Sequence, residues 1–166
     1  NHDEIRFWAD YVTPGRTSAY IYDDAGRGGG LAPGARFVIA GDQNADPLDG
    51  DSVPGAAQLL LEHPRVNTSV TPASSGAVDA AERQGGANLT HRGDPALDTA
   101  DFADSAPGNL RVDYVLPSRP LRFVDAAVCW PTADDPLFRL VGDFPFPSSD
   151  HRLVWIDVAV PGGPPR

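Results

Sequence analysis

Strand-forming residues in this chain are confined to a few short runs, and that confinement narrows the folds open to it more than any other feature. Arg36 to Ala40, Leu110 to Leu116, Arg122 to Trp130 and Leu153 to Val158 are rich in β-branched and aromatic residues, and their length and content fit strands. Two helical patterns accompany them. In Asp3 to Val12, residues Ile5, Trp8, Ala9 and Val12 recur at helical spacing on one face, with Asp3 placed as a cap and Thr13-Pro14-Gly15 as a stop. Pro54 to Glu62 carries Leu59, Leu60 and Leu61 on its apolar side. Ala19 to Tyr22 has the content of a further short strand. The order helix, strand, helix, long loop and then three strands predicts an α/β or α+β layer structure.

The stretch from Val66 to Gly108 is dominated by Ala, Ser, Thr, Gly and Asp. It reads as long solvated loops with one short helix near Gly76 to Arg83, and loops of that length in a compact domain carry function or are mobile. Within it, Arg92, Asp98 and Asp101 are candidates for lining a site. Gly26 to Gly30 is a loop, because no strand-turn-helix context makes it a dinucleotide fingerprint. The 166 residues suffice for one domain with a real core. We take 1–160 as that domain and 161–166 as a flexible tail.

Charge and composition bound the partners. The net charge is −10, and all 13 basic residues are arginine. That balance argues against a broad basic surface for nucleic acid, but not against a site that a metal ion neutralises locally. The absence of lysine with abundant Ala, Gly, Pro and Asp fits a high-GC, bacterial coding sequence. No apolar run reaches the ~18 residues of a membrane span. The sequence starts at Asn1 and contains no Met, which reads as a processed piece of a longer protein; an extracytoplasmic, secreted location is the matching expectation. Cys129 is the one cysteine, so no internal disulfide forms; its apolar run, Ala126 to Trp130, predicts burial.

Three segments place acidic or imidazole groups where a strand meets a loop. In Val38-Ile39-Ala40-Gly41-Asp42-Gln43-Asn44-Ala45-Asp46, alternation along an extended chain would aim Asp42 and Asn44 the same way. Such a pair orients a water and hydrogen-bonds a phosphate oxygen; the alternative is an Asp/Asn turn closing a strand. In Leu110 to Ser118, Arg111 and Asp113 fall on one face, with Val112, Tyr114 and Leu116 on the other. A carboxylate in an apolar strand needs a partner, which is Arg111 in one reading. In Ser148 to Val158, Asp150 and His151 come directly before a strand. If Asp113 lies nearby, it and His151 make an acid/base dyad.

Taken in order, Gly41-Asp42-Gln43-Asn44-Ala45-Asp46, Arg111-Val112-Asp113-Tyr114-Val115-Leu116 and Ser149-Asp150-His151-Arg152-Leu153-Val154 resemble the closing motifs of the endonuclease/exonuclease/phosphatase superfamily, the DNase I-like fold. Their usual forms are GDFNAD, R-x-DY-I/V-L and SDHRPV. The resemblance runs from about Arg36 to Val158, and the opening helix extends it over nearly the whole chain.

It implies the C-terminal half of a four-layer α/β sandwich, with mostly antiparallel or mixed sheets and flanking helices. It also implies a Mg²⁺-dependent phosphoesterase acting on a phosphate-ester substrate. By the same resemblance, Asp42 positions or deprotonates the water and Asn44 holds the phosphate. His151 stabilises developing charge with Asp113 fixing its ring, and Asp150 serves the divalent metal. The family's first-half metal ligand, a Glu, has no counterpart here: Glu4, Glu62 and Glu82 are the only glutamates and none follows an apolar strand. His2, His63 and His91 also lie outside the expected strand contexts and read as surface or loop residues. The piece is therefore expected to be inactive alone and to associate with a missing N-terminal half or a second copy. A non-catalytic half-domain that keeps the motifs as scaffold is the alternative.

Overall fold

A computed structural model describes residues 1–162; residues 163–166 of the expected tail lie outside the described residues. Helices α1 (His2–Tyr11), α2 (Gln58–Leu61) and α3 (Ser75–Gln84) accompany strands β1 (Val38–Asp42), β2 (Asp113–Pro117), β3 (Arg122–Cys129) and β4 (Leu153–Ala159). The strands form two antiparallel pairs, β1 with β2 and β3 with β4, and β2 lies beside β4. Helices and antiparallel strands are mixed as the element order predicted. No helix among the described residues is long and apolar enough to cross a membrane.

Two clusters bury most of the apolar surface. In the first, Ile5, Ala9 and Val12 of the α1 stripe meet Ala57 and Leu60 at α2 and Ile39, Tyr114 and Leu116 of the first sheet. Trp8, expected on that stripe, sits at its edge and is 42% exposed, with Phe7 and Tyr11 against its ring. Asn1, rather than Asp3, holds the N-cap position; Asp3 lies within the first turn and faces Arg6 at 3.6 Å. In the second cluster, Ala77 and Ala80 of α3 pack on Val128, Trp130 and Val141. Ser74 caps α3 by accepting from Ala77 N–H at 3.2 Å, an offset that satisfies one orphan donor of the first turn.

Gly76 lets α3 sit this close to the end of β3. A Cβ built there would lie 2.0 Å from the Trp130 carbonyl oxygen, a clash with backbone that no rotamer relieves. Gly76→Ala is therefore expected to destabilise the fold by about 1–3 kcal/mol, overriding the helix preference for alanine. Urea unfolding measures this, and a midpoint at or above that of the parent protein would contradict the packing.

The strand readings need four corrections. Ala19 to Tyr22 contributes an isolated bridge, Tyr22 with Gly28, instead of a strand. Only Ile39 of β1 is buried, because the sheet has just two strands and one packed face. Cys129 is exposed, since β3 is covered by α3 on one side and Val128 takes the inward position. The 66–108 segment is less solvated than its composition implies: Asp98, Thr99, Ala100 and Asp101 are all buried.

Candidate active site

The register of the first sheet sets the site. β1 and β2 pair so that Asp42 stands directly opposite Asp113. Like charges in such a cross-strand pair are destabilising, and a fold that keeps them must gain something from the juxtaposition. The turn after β1 is held to the residues at and just before the start of β2 by three hydrogen bonds. Gln43 N–H donates to the Val112 carbonyl at 2.9 Å, and Arg111 N–H donates to Asp46 Oδ2 at 2.8 Å. The buried Tyr114 hydroxyl lies 2.7 Å from the Ala45 carbonyl and 2.8 Å from that of Arg111.

Asn44 does not continue the strand alternation. Its φ is +46°, and its N–H donates to Asp42 Oδ1 at 2.6 Å. This is an Asx turn at the strand end, one of the few settings where Asn accepts a left-handed backbone. The turn reading of the segment therefore holds and the shared direction of Asp42 and Asn44 does not; the turn leaves the exposed Asp42 carboxylate opposite Asp113.

The segment Thr99 to Asp101 lies between the residues that lead into β2 and those that lead into β4. Ala100 bridges to Leu110 on one side and to His151 on the other. Arg152 N–H donates to the Thr99 carbonyl at 2.8 Å, and Asp101 N–H donates to the Asp150 carbonyl at 2.8 Å. His151 thereby reaches Asp113, with Nδ1 2.9 Å from Oδ2. Thr99 completes the arrangement. Its hydroxyl donates to the same Asp113 oxygen at 3.0 Å and accepts from the N–H groups of Val112 at 3.0 Å and Asp113 at 2.9 Å. The edge of Phe102 meets the imidazole at 5.5 Å between centroids.

Asp113 is therefore partnered by His151 and Thr99. Arg111 turns its guanidinium over the Tyr114 ring, 4.8 Å from the centroid, so the alternative ion pair is not formed. Burial pushes the Asp113 carboxyl up; the His151 and Thr99 hydrogen bonds pull it back, and the Asp42 charge opposes them. Burial likewise holds Arg111 below its usual value. One donor atom each from Asp42, Asp113 and His151 lies within 4.8 Å of the others. Two carboxylate oxygens and an imidazole nitrogen suit a divalent cation, and a hard ion such as Mg²⁺ takes the oxygens first.

Asp150 stands apart from this trio. Its carboxylate lines an adjacent cavity and is 3.5 Å from the Ser149 hydroxyl. Asp101 is locked in a buried salt bridge to Arg152 at 2.9 Å, and Asp98 is buried within the field of the Asp46, Asp49 and Asp94 carboxylates. Arg92 is exposed and anchors a loop through its N–H to Asp49. His63 and His91 bond to Thr13 and to the Pro107 carbonyl, the loop duty expected of them. Thr99 was missed by the sequence reading. Asp98-Thr99-Ala100-Asp101-Phe102 is too short and too polar to mark itself as a strand, and nothing local reveals what the hydroxyl reaches.

A sequence profile of the Endonuclease/Exonuclease/phosphatase family matches residues 3–151. The chain belongs to that family. Hydrolysis of phosphoesters is the chemistry its members share, and the match spans α1, the Asp42 turn, Asp113 and the approach to β4. No curated protein and no solved structure matches significantly.

Proposed function

We propose that this chain carries the water-activating and charge-stabilising side of a divalent-metal-dependent phosphoesterase site. The cross-strand pairing of Asp42 with Asp113, with His151 2.9 Å from the latter, is the observation that carries the reading. Asp42, exposed at the strand end, orients and deprotonates the attacking water. Asn44, next in the turn, offers its carboxamide to a phosphate oxygen. With Asp113 ionised, the His151 Nδ1–H donates to it and the ring is fixed, leaving Nε2 for the phosphate as negative charge develops.

Asp42 and Asp113 are the carboxylates that would hold a divalent cation, Mg²⁺ by preference; Asp150, assigned to the metal by the family resemblance, stands apart from them in the adjacent cavity. When bound, that ion neutralises charge on the phosphoryl oxygens. The glutamate ligand that the family resemblance implies has no counterpart in this chain, so we assign the activity to an assembly in which a further segment or a second copy supplies it. Exposed apolar positions on the strands, Val38, Val124 and Leu153, are consistent with such association. The long 66–108 segment is the proposed source of substrate choice, and an extracytoplasmic bacterial setting fits the composition.

The test is hydrolysis of bis-p-nitrophenyl phosphate and p-nitrophenyl phosphate across a Mg²⁺ and Mn²⁺ titration, with the gene's full product assayed beside this chain. Metal-dependent turnover that drops at least about 10²-fold in Asp42→Asn is expected. Absence of turnover in both proteins under every metal would sink the reading and leave a non-catalytic scaffold in its place.

A further inference from the structure

Beside His151 lies a cavity of about 890 Å³, walled by Arg83, Gln84, Asp101 to Asp104, Asp143, Phe144, Phe146 and Asp150. The hydrolytic chemistry assigned above leaves it without a task. Its size is that of a site for an organic group, and it adjoins the dyad twice: Phe102 contacts the imidazole and Asp150 precedes His151 in the chain.

Its aromatic wall is built and held. The Arg152 side chain is fully buried and salt-bridged to Asp101, with its guanidinium between Trp130 at 4.4 Å and Phe146 at 5.2 Å. That stack fixes the Phe146 ring. Phe144 meets Phe146 edge to face at 6.0 Å and is nonetheless 86% exposed. A phenyl ring left this far in water, beside a second ring held in place, is surface that a ligand would cover.

The charge of the cavity selects the ligand. Four carboxylates line it, those of Asp101, Asp104, Asp143 and Asp150. Arg83 answers Asp143 and Arg152 answers Asp101. Asp104 and Asp150 form no salt bridge among the described residues, so the cavity is net negative. Aromatic rings in a cavity where carboxylates outnumber arginines attract an organic cation and repel a second phosphate.

We propose that this cavity is a subsite for an organoammonium group, an apolar or aromatic body carrying positive nitrogen, on one arm of the phosphoester. Phe144 and Phe146 receive the body, and Asp104 and Asp150 favour the charge. The assignment to an arm of the ester rests on the phosphoesterase reading; the binding of the cation does not.

Calorimetric titration with benzyltrimethylammonium, benzyl alcohol and benzenesulfonate, without metal or ester, tests the pocket directly. The cation is expected to bind about tenfold more tightly than the alcohol, and the sulfonate most weakly. Phe144→Ala, at an exposed position that leaves the fold alone, weakens the cation about tenfold, and Asp104→Asn narrows the gap between cation and alcohol. Equal binding of all three probes, or a cation affinity that neither substitution changes, would overturn the proposal.

Kinetics then separate the two readings. A p-nitrophenyl phosphodiester bearing a trimethylammoniopropyl arm is expected to show a lower KM than its methyl counterpart. Cation binding with no hydrolysis of either ester, by this chain or by the gene's full product under any metal, supports the pocket and defeats the phosphoesterase reading. Hydrolysis of both esters with the same KM supports the phosphoesterase reading and defeats the subsite.

Discussion

His151→Ala, in whichever product shows metal-dependent turnover, is expected to lower kcat on a phosphodiester by about 10²–10⁴-fold, with KM changed much less. The reason lies in how completely the imidazole is oriented. Its Nδ1 is 2.9 Å from Asp113 Oδ2, and that oxygen is itself held by the Thr99 hydroxyl at 3.0 Å. Two backbone N–H groups of β2 donate to the same hydroxyl, so the imidazole, the carboxylate and the strand form one rigid unit. A ring aimed in this way acts most when charge appears on the phosphoryl oxygens, and its loss therefore falls on kcat. Asp113→Asn is expected to produce a loss of similar order, because an amide does not enforce the same imidazole tautomer. Steady-state kinetics on both variants, with circular dichroism to verify folding, measure the effect. Full activity in a folded His151→Ala protein would remove the dyad from the mechanism.

Asp98→Asn is expected to stabilise the protein at alkaline pH. Asp98 is 7% exposed, and burial pushes its carboxyl up to about 8, with the charges of Asp46, Asp49 and Asp94 adding to the effect. The sign follows from proton counting. Below about pH 4, the carboxyl is neutral in both folded and unfolded chains and has no effect on pH dependence. Between about 4 and 8 the folded state keeps a proton that the unfolded state has released, so stability falls as pH rises and the loss is complete above about 8. A shift of that size corresponds to a few kcal/mol, with an upper limit on the order of 6. Asparagine has the shape of the neutral acid and does not ionise. Urea unfolding at pH 5 and pH 9 should show Asp98→Asn gaining on the parent protein at the higher pH and little changed at the lower. A gain that is the same at both values would show that Asp98 titrates normally.

Much of the site was legible in the chain because its parts are local. Asp42 at the end of an apolar run, Asp113 alternating with Val112 and Tyr114, and His151 just ahead of a strand each declare their place by spacing. Their order along the chain was enough to indicate a family, and the profile match agrees. The α1 stripe of Ile5, Ala9 and Val12 and the apolar face of β2 were likewise readable, since period and side-chain type suffice for elements with one buried face; β4 was not, because none of its residues is buried and Leu153 is exposed.

Other features depend on partners distant in sequence. Cys129 sits in an apolar run yet faces out, because which side of β3 is covered depends on where α3 docks. Asp98 and Asp101 belong to a polar stretch yet are buried, because the segment carrying them is drawn between Leu110 and His151. Thr99 owes its role to three groups 13 or 14 residues away. The amino-acid order alone settled the chemistry on offer, two carboxylates and an imidazole at strand ends, because residue type and periodicity are properties of short segments. Only the folded chain decided that Asp42 faces Asp113 and that His151 reaches the same carboxylate, because strand register and the insertion of Thr99 to Asp101 are set by contacts between distant segments.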